Sequence, residues 1–524
     1  MSFASPRWLL AVAFVLILPG LFWGLPSAVT PQVDAPVPLG PLYFFAEYHH
    51  PEIDTIYPAF HQLLLIPVYA VVFAVYWIIG GISHLSSIWP YGLRDVSAFF
   101  SALVLVSNLV SAFMGLGILY VAWRICDSHK DWSWIGLLMA ALNGTFVYYC
   151  RTGNLDIPYN FWWAVALFFL WKYFFSDVAL RASLFPAAIA AGCAVGTKDQ
   201  AAGLVLGAGL AILFVNSGKS AFLTRFRNAV FFGLAMLCFY GVVAILPHPM
   251  RWWYHVQYIL ADKAPTEFPR TITGEWQTFL VTLDWLVRVF TIPAVGLAPV
   301  GALSLYRSGQ SRQFWVLVLP LVTYYLVAVV PTRVFYPRFT VPFFLPMIVL
   351  VAHGAGFLAE RFFVARRTKA VWAAALGLLL AVECVWSYLP MSYAQVFDIK
   401  RQLARELPSV LPPGTDLLIS RMQTYNYPNS KVYERYAMMR LPQDPVVPPS
   451  RHAAGIFRPC SPSVSYFLLG SGNAGLPWNP AGNYPPLQGE LVREWRYPAW
   501  VKDHVLVPCI YEFALYRRTG PLPI

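Results

Sequence analysis

Long apolar runs without charged residues recur along almost the whole of this chain. Of its 524 residues, 58% are hydrophobic and only 12% are charged, whereas average soluble domains are about 25% charged. Each run is close to the length that crosses a bilayer as a helix, about 20 residues. A transmembrane barrel is excluded, because its strands alternate apolar and polar residues over about ten positions. The sequence therefore predicts a polytopic α-helical membrane protein.

Eleven apolar runs are predicted to span the membrane. The first begins after Arg7, and we expect it to be an uncleaved helix because no small-residue cleavage site follows it. A twelfth stretch, 58–80, has two interpretations: a span, or a helix that lies in the plane of the membrane. The predicted spans are about 7–28, 97–123, 133–150, 157–175, 182–197, 200–217, 228–247, 286–305, 313–332, 339–359 and 370–389.

The positions of Lys and Arg favour the in-plane interpretation of 58–80. With that helix in the plane and the N-terminus in the cytoplasm, fourteen basic residues before the tail face the cytoplasm and nine face the other side. If 58–80 spans, the numbers become ten and thirteen. Cytoplasmic loops carry an excess of Lys and Arg. The sequence therefore predicts an integral protein of the plasma (inner) membrane with a cytoplasmic N-terminus and an extracytoplasmic C-terminal domain.

Two domains are predicted. Residues 1–390 form a transmembrane catalytic domain, in which 29–96 are the first extracytoplasmic loop with its in-plane helix. Residues 391–524 form a smaller extracytoplasmic domain that is richer in Pro, Gly, Tyr and charge. Cys460 and Cys509 lie in this second domain, and the sequence leaves open whether they form a disulfide bond.

The C-terminal domain is predicted to be α+β. Residues 398–408 have the pattern of a short helix, and residues 415–420 and 510–517 have the pattern of strands. The segment 441–489 is rich in Pro and in turn-forming residues, so we expect it to be loop-like.

The first extracytoplasmic loop is unusually acidic for a chain with a formal net charge of +12. Residues 29–57 contain no Lys or Arg, which also agrees with an extracytoplasmic location. An acidic loop at the mouth of the first span is a candidate for chemistry. Its ionisable residues are Asp34, Glu47, His49, His50, Glu52 and Asp54.

Three more polar turns are predicted on the same face of the membrane. Ionisable residues at membrane depth are costly, so they are usually functional or paired. Asp, Asn, Gly and Pro are also ordinary turn residues, and Asp156-Ile157-Pro158 fits a helix start with an N-cap Asp. The turns are 151–158 with Arg151, Asn154 and Asp156, 196–200 with Lys198, and 333–339 with Arg333 and Arg338.

Together these motifs resemble the GT-C superfold of polyprenyl-phosphate-sugar glycosyltransferases. That group includes the protein O-mannosyltransferases and the bacterial lipid A aminoarabinose transferases. The matching motifs occur in order over residues 1–360. They are Gly24-Leu25-Pro26 followed by Asp34, Tyr57-Pro58-Ala59-Phe60, Gly153-Asn154-Leu155-Asp156 with Pro158, Gly196-Thr197-Lys198, and Arg338-Phe339 followed by Pro342 and Pro346.

One position departs from the family pattern. Many members have Asp-Glu at the site in the first loop, whereas here Asp34 is followed by Ala35-Pro36. A second acid would then have to come from Glu47 or Asp54. The in-plane helices that follow the first span in this family agree with the in-plane interpretation of 58–80.

The resemblance implies transfer of a sugar from a polyprenyl phosphate to an extracytoplasmic hydroxyl of a lipid, glycan or protein in the cell envelope, with inversion at the anomeric carbon. A base must accept the hydroxyl proton, and cations must stabilise the leaving phosphate. Asp34 is the first candidate for the base, followed by Glu47 and Asp54. Asp156 is also a catalytic candidate, and it and Asn154 are candidates for contacts to sugar hydroxyl groups or to the acceptor. The candidates for the phosphate are Lys198, Arg333, Arg338 and Arg151, and Tyr57 is a further substrate-binding candidate.

Two alternatives stay open at this stage. Carboxylate oxygens of Asp34, Glu47 and Asp156 have the chemistry to hold a divalent cation, although no standard metal motif is present. A polytopic lipid or glycan transporter is the alternative function. That class favours charges at the bilayer midplane and paired repeats with broken helices, whereas here the charges lie mainly at the ends of the spans.

Overall fold

The structure is a computed structural model of the whole chain. It describes residues 7–27, 57–86, 92–126, 130–175, 180–215, 221–247, 249–260, 267–420, 429–440, 458–472, 488–507, 509 and 511–521. Contacts between these residues group them into two compact units. The first comprises the described residues within Met1–Ile17, Pro41–Leu65 and Val110–Tyr388, and the second those within Leu18–Gly40, Ile66–Leu109 and Leu389–Ile524. The predicted domains, 1–390 and 391–524, stay a prediction.

Each predicted span contains at least one helix in the described part of the chain, although the span 7–28 is helical only as far as Gly20. The main helices are α1 (Arg7–Ile17), α2 (Phe60–Ile78), α3 (Val96–Ile125), α4 (Lys130–Leu142), α5 (Gly144–Cys150), α6 (Asp156–Phe175), α7 (Leu180–Thr197), α8 (Ala201–Phe214), α9 (Phe222–Tyr240), α10 (Pro249–Leu260), α11 (Ile272–Phe290), α12 (Ile292–Arg307), α13 (Ser311–Tyr324), α14 (Phe344–Phe362), α15 (Arg366–Val396) and α16 (Ile399–Val410). Short helical turns join some of them: the 3₁₀ segments Leu18–Gly20 and Pro337–Phe343, and the π-helical turns Gly241–Ile245 and Tyr325–Val329, the second leading into Val330–Thr332.

By length and composition, six helices of the described part are able to cross a membrane, or eight if each of two bent pairs counts as one span. The other apolar helices, α1, α7 and α8, are shorter. The prediction of a polytopic helical membrane protein is therefore confirmed. Helix α2 is among the six, so its in-plane orientation stays a prediction.

The two bent pairs have local causes. Helices α4 and α5 meet at 67°, where Asn143 caps α5 by accepting a hydrogen bond from the Phe146 N–H at 3.1 Å. Helices α11 and α12 meet at 107°, where Thr291 has a φ of 74°. A positive φ is incompatible with a continuing right-handed helix, so the chain turns there.

Small residues allow the helices of the first unit to pack closely. A Cβ atom added to Gly301 of α12 would lie 2.0 Å from the Leu350 carbonyl oxygen of α14. One added to Gly207 of α8 would lie 2.4 Å from the Pro320 Cα of α13. Helix association inside membranes depends on such close approach, because lipid gives no hydrophobic drive between helices.

The second unit contains a six-stranded mixed sheet in the order β3-β2-β1-β4-β6-β5. Strands β1 to β4 pair in parallel, and β6 is antiparallel to both β4 and β5. The strands are β1 (Asp416–Ser420), β2 (Ala437–Arg440), β3 (Arg458–Pro459), β4 (Tyr466–Gly472), β5 (Gly489–Trp495) and β6 (Tyr511–Arg518). Two short helices, α17 (Ser430–Tyr433) and α18 (Ala499–Lys502), lie between strands.

The predicted helix at 398–408 corresponds to α16, and the predicted strands correspond to β1 and β6. The prediction that 441–489 is loop-like is wrong for part of that segment. Strand β4 lies there and pairs with both β1 and β6. Its Phe467 and Leu468 are buried, and aromatic and apolar residues fit a half-buried pleated surface. Cys460 and Cys509 both lie in the described part and are not joined by a disulfide bond.

The segment that follows α1 is bonded to the C-terminal segment within the second unit. The Asp398 carboxylate accepts hydrogen bonds from the Gly24 N–H at 3.2 Å and from the Lys400 N–H at 2.9 Å, so it also caps α16. Arg401 donates to the Leu25 carbonyl at 3.0 Å. These bonds satisfy backbone groups that would otherwise lack partners.

Candidate functional site

Asp156 and Lys198 form a buried ion pair in the first unit. The Lys198 Nζ lies 2.5 Å from the Asp156 Oδ1, and the two side chains are 2% and 0% exposed. Asp156 begins α6, and Lys198 directly follows α7. Two of the predicted polar turns therefore do meet, although they are 42 positions apart in the chain.

The backbone around Asp156 is held by its neighbours. The Asn154 side-chain oxygen accepts a hydrogen bond from the Asp156 N–H at 2.8 Å. The Asn160 amide donates to the Asp156 carbonyl at 2.8 Å. Asn154 thus holds the backbone just before α6 in a turn with Asp156, which is a structural role for a residue that the sequence places among the substrate-binding candidates.

Close packing fixes the position of Lys198. The Lys198 N–H donates to the Ala194 carbonyl at 3.0 Å, which continues the hydrogen bonding of α7. A Cβ atom added to Gly196 would lie 3.2 Å from the Phe60 Cβ at the start of α2. The glycine of the Gly-Thr-Lys motif thus allows α2 to pack against the turn that carries the lysine.

Aromatic rings surround the ammonium group. Lys198 Nζ lies 5.4 Å from the centre of the Tyr57 ring and 5.5 Å from that of Tyr159. Such contacts stabilise a cation, and more strongly when water is excluded. Tyr57 is therefore next to the ion pair, as the sequence predicts.

One oxygen of this carboxylate is without a hydrogen-bond partner in the part of the chain that the structure describes. The Asp156 Oδ2 is buried and makes no hydrogen bond to the described residues. Buried acceptors without a partner are rare and need an explanation, such as a ligand or water. The ammonium has three N–H donors, so donors remain beyond the one directed at Asp156. The pair can therefore bind a hydroxyl group and an anionic oxygen side by side.

The turn before α14 brings further cations to the same unit. Arg338 is half-buried, and its guanidinium lies 5.6 Å from the Tyr336 ring centre and 5.8 Å from that of Phe339. The buried Tyr324 interacts electrostatically with both Asp156 and Arg338. Tyr324 is thus a buried group that both Asp156 and Arg338 affect electrostatically.

Arg333 is held by a residue that the sequence analysis did not select. Its Nη2 pairs with the Glu275 carboxylate from the first turn of α11. Its Nη1 is buried without a hydrogen-bond partner among the described residues. Glu275 lies 58 positions before Arg333 in the chain. No sequence pattern links the two residues, so their pairing is visible only in the structure.

Arg151 has contacts of a structural kind. Its Nε donates to the Ile17 carbonyl at 3.0 Å, and its Nη2 donates to the Leu16 carbonyl and to the Tyr388 hydroxyl. Carbonyls at the C-terminal end of a helix lack intrahelical partners and favour cations. This buried guanidinium therefore caps α1, which leaves it less suited to a phosphate than the other cations.

Several predicted residues lie outside the described part of the chain. These are the acids and histidines of the first loop, namely Asp34, Glu47, His49, His50, Glu52 and Asp54. Within the described part, no cluster of three or more His, Cys, Asp or Glu side chains could hold a metal ion. Asp156 is the one suggested metal ligand that the structure describes.

Two solved structures have a similar fold over nearly their whole length. ArnT from Cupriavidus metallidurans in the apo state matches with a TM-score of 0.52 and 13% sequence identity, covering 97% of this chain and 97% of that one. The same protein bound to undecaprenyl phosphate matches with a TM-score of 0.51 and 14% identity, covering 98% of each chain. This chain has the GT-C fold. No protein-family model and no curated protein matches it.

Within the GT-C fold, an apolar cavity of about 630 Å³ lies between α8 and α9. Asp199 and Tyr240 are its polar lining residues, and Asp199 directly follows Lys198. The cavity extends from Tyr240 to Phe226 along α9, about 20 Å at 1.5 Å per residue. That length is a large part of the ~30 Å hydrocarbon core of a bilayer.

A second polar pair lies at the Tyr240 end of this cavity. The His255 Nε2 of α10 is 2.7 Å from the Asp199 Oδ2. Trp252, also in α10, donates to the Tyr240 hydroxyl at 3.0 Å. Sequence reasoning selected neither His255 nor Trp252, because both belong to a helix that carries none of the motifs. These two contacts hold α10 at the Tyr240 end of the cavity. Asp199, the residue after Lys198, takes part in one of them.

Proposed function

We propose that this protein is a membrane glycosyltransferase that moves a sugar from a polyprenyl phosphate to a hydroxyl group on the extracytoplasmic side. The observation that carries the proposal is the buried Asp156–Lys198 pair, in which one carboxylate oxygen has no hydrogen-bond partner among the residues that the structure describes. The GT-C fold supports it. A related structure with this fold was solved with undecaprenyl phosphate bound.

In this proposal the ion pair binds the sugar and the phosphate at their junction. Asp156 Oδ2 accepts a hydrogen bond from a sugar hydroxyl, and the remaining N–H donors of Lys198 bind a phosphate oxygen. A preorganised cation of this kind stabilises the charge that develops on the leaving group. Arg338 supports the phosphate from the turn before α14.

The reaction is a displacement at the anomeric carbon. The bond between that carbon and the phosphate oxygen breaks, and its electron pair leaves with the phosphate. A bond to the acceptor oxygen forms on the opposite face, which inverts the configuration. The acceptor proton goes to a carboxylate base, for which Asp34 is the proposed residue, with Glu47 and Asp54 as supporting acids.

The apolar cavity between α8 and α9 is proposed to hold part of the lipid chain. Its lining is apolar apart from Asp199 and Tyr240, and the adjacent Lys198 would bind the phosphate at the head of that chain. Lipid is as apolar as this lining, so close packing, and not removal from water, would hold the isoprenoid chain there.

The proposal is tested with purified protein in nanodiscs that contain polyprenyl-phosphate sugars, with an envelope extract as acceptor. The expected result is release of free polyprenyl phosphate together with a glycosylated product, and loss of both in the Asp34→Asn variant. Movement of lipid or glycan across the bilayer without cleavage of the donor would instead support the transporter alternative. If the Asp34→Asn variant still transfers sugar, the proposed role of Asp34 is refuted, but the proposed reaction is not.

A further inference from the structure

Arg333 has two terminal nitrogens, and among the described residues only one of them has a partner, the Glu275 carboxylate. Arg333 is buried, and its Nη2 is held by the Glu275 carboxylate. Its Nη1 is also buried but has no hydrogen-bond partner in the part of the chain that is described. A buried N–H group without an acceptor carries a full desolvation penalty. An oxygen atom of a bound ligand would accept a hydrogen bond from Nη1 and remove this penalty.

The backbone at Arg333 is also unusual. Its φ is 49° and its ψ is 35°, in the left-handed region, which non-glycine residues seldom adopt. It directly follows the π-helical turn Tyr325–Val329 and one α-helical turn, and π-helical turns are frequent at functional sites. Residues kept in such conformations cluster at binding and active sites, where the surrounding structure holds them.

Glu275 is itself rigidly placed. It lies in the first turn of α11, where the Thr271 side chain caps the helix by accepting from the Gly274 N–H at 3.2 Å. A Cβ atom added to Gly274 would lie 1.9 Å from the Pro269 carbonyl oxygen, so the chain approaches itself closely there. The Glu275 carboxylate therefore extends from a helical turn that is both capped and tightly packed.

From these observations we infer that Glu275 is a positioning residue that holds Arg333 so that its Nη1 donates to a phosphate oxygen of the lipid donor. The inference rests on the proposed function and adds to it a specific atom and a supporting residue. Glu275 is not a catalytic residue, because it acts through Arg333. Arg suits this task because its planar fork offers two parallel donors in fixed geometry.

The test measures binding of undecaprenyl phosphate to the full-length protein in nanodiscs. Glu275→Ala should weaken binding about tenfold, the size of one charge-assisted hydrogen bond. Glu275→Gln should restore most of the affinity, because the glutamine amide oxygen still accepts a hydrogen bond from Nη2. The matched control is Asp284→Asn, which breaks the exposed Asp284–Arg288 pair on the same helix and should leave the affinity unchanged.

A double-mutant cycle separates positioning from simple charge effects. Arg333→Ala alone should weaken binding about tenfold, whereas in the Glu275→Ala background it should add little, because coupled residues are not additive. Tighter binding by Glu275→Ala would mean that the carboxylate competes with the phosphate, and additive losses would mean independent roles. Either result overturns the inference.

Failure of the proposed function gives a different outcome. Wild-type protein that binds undecaprenyl phosphate no better than undecaprenol would overturn the proposed lipid-phosphate donor, and the inference with it. If Glu275→Ala lowers the melting temperature by more than a few degrees, Glu275→Gln and Arg333→Lys are compared instead. Loss of affinity in Arg333→Lys but not in Glu275→Gln then supports the inference, and unchanged affinity in both refutes it.

Discussion

Lys198 Nζ lies 2.5 Å from the Asp156 Oδ1, while Oδ2 of the same carboxylate has no hydrogen-bond partner among the described residues. One oxygen is thus used to neutralise the lysine, and the other is available to a ligand. A buried ion pair costs desolvation energy and seldom stabilises a fold by itself. Its presence in a protein with few charges is better explained by function than by stability.

The two partners of this pair should depend on each other for stability. Removal of one partner leaves a buried charge uncompensated, which costs about 3–5 kcal/mol. We expect Asp156→Ala and Lys198→Met each to lower the melting temperature of the detergent-solubilised protein strongly. The double variant should recover much of the loss. Additive losses in the double variant would show that the two charges do not interact in solution.

Arg151 should behave as a structural residue. Its guanidinium is bonded to the Ile17 and Leu16 carbonyls and to Tyr388. We expect Arg151→Met to lower the melting temperature, because the Ile17 carbonyl loses its side-chain donor, at about 1–3 kcal/mol, while the Leu16 carbonyl keeps the Tyr388 hydroxyl as a donor. The Kd of the folded variant for undecaprenyl phosphate should stay within about twofold of wild type. A selective loss of affinity would instead return Arg151 to the phosphate site.

Close packing of α12 against α14 predicts intolerance to a single methyl group. A Cβ atom at Gly301 would lie 2.0 Å from the Leu350 carbonyl oxygen, and overpacking of this kind costs about 1–3 kcal/mol. Gly301→Ala should therefore lower the melting temperature. Gly296→Ala on the same helix is the control, because a Cβ there has nothing within 4 Å. Equal effects of the two substitutions would contradict the packing of these helices.

The cavity between α8 and α9 can be filled without disturbing the helices. Gly209 and Gly233 line it, and a Cβ atom on either would meet nothing within 4 Å. Gly209→Phe with Gly233→Phe should raise the Kd for undecaprenyl phosphate about tenfold, because the added rings occupy the space of the lipid chain and a loss of about 1.4 kcal/mol of packing corresponds to that change. Gly296→Phe, outside the cavity, should have no effect. Unchanged affinity in the double variant would place the lipid chain elsewhere.

The predicted topology decides on which side of the membrane the site lies. In a variant without native cysteines, Lys130→Cys should react with a membrane-impermeant maleimide only from the cytoplasmic side. Ser450→Cys should react only from the other side. The opposite pattern would mean that α2 spans the bilayer, which reverses the sidedness of every later turn.

The sequence predicted those parts of the fold that composition controls. Uninterrupted apolar runs made the helices visible, because a span needs only length and the absence of charge. Strand β4 was missed because its short apolar core, around Phe467 and Leu468, lies inside a segment dominated by Pro and Gly. The sheet order was also out of reach, since it depends on pairings between distant strands.

For the candidate site, the sequence predicted which turns meet but not which atoms pair. Asp156 and Lys198 were predicted to lie on one face, and the structure joins them directly. The partner of Arg333 was not predictable, because Glu275 belongs to a helix start that carries no motif. The role of Arg151 was also not predictable. It caps α1, which lies more than 130 positions earlier in the chain, and such a contact leaves no local sequence pattern.

The central claim is that the free oxygen of Asp156 takes part in sugar transfer. The most direct measurement is the rate of polyprenyl phosphate release by Asp156→Asn, compared with Asp284→Asn, which alters an exposed pair on α11. Asn keeps the shape of the side chain but removes its charge. A loss of at least about 100-fold in Asp156→Asn, as for other preorganised polar groups at reacting centres, with full activity in Asp284→Asn, is predicted. Equal, wild-type rates in both variants would contradict the account.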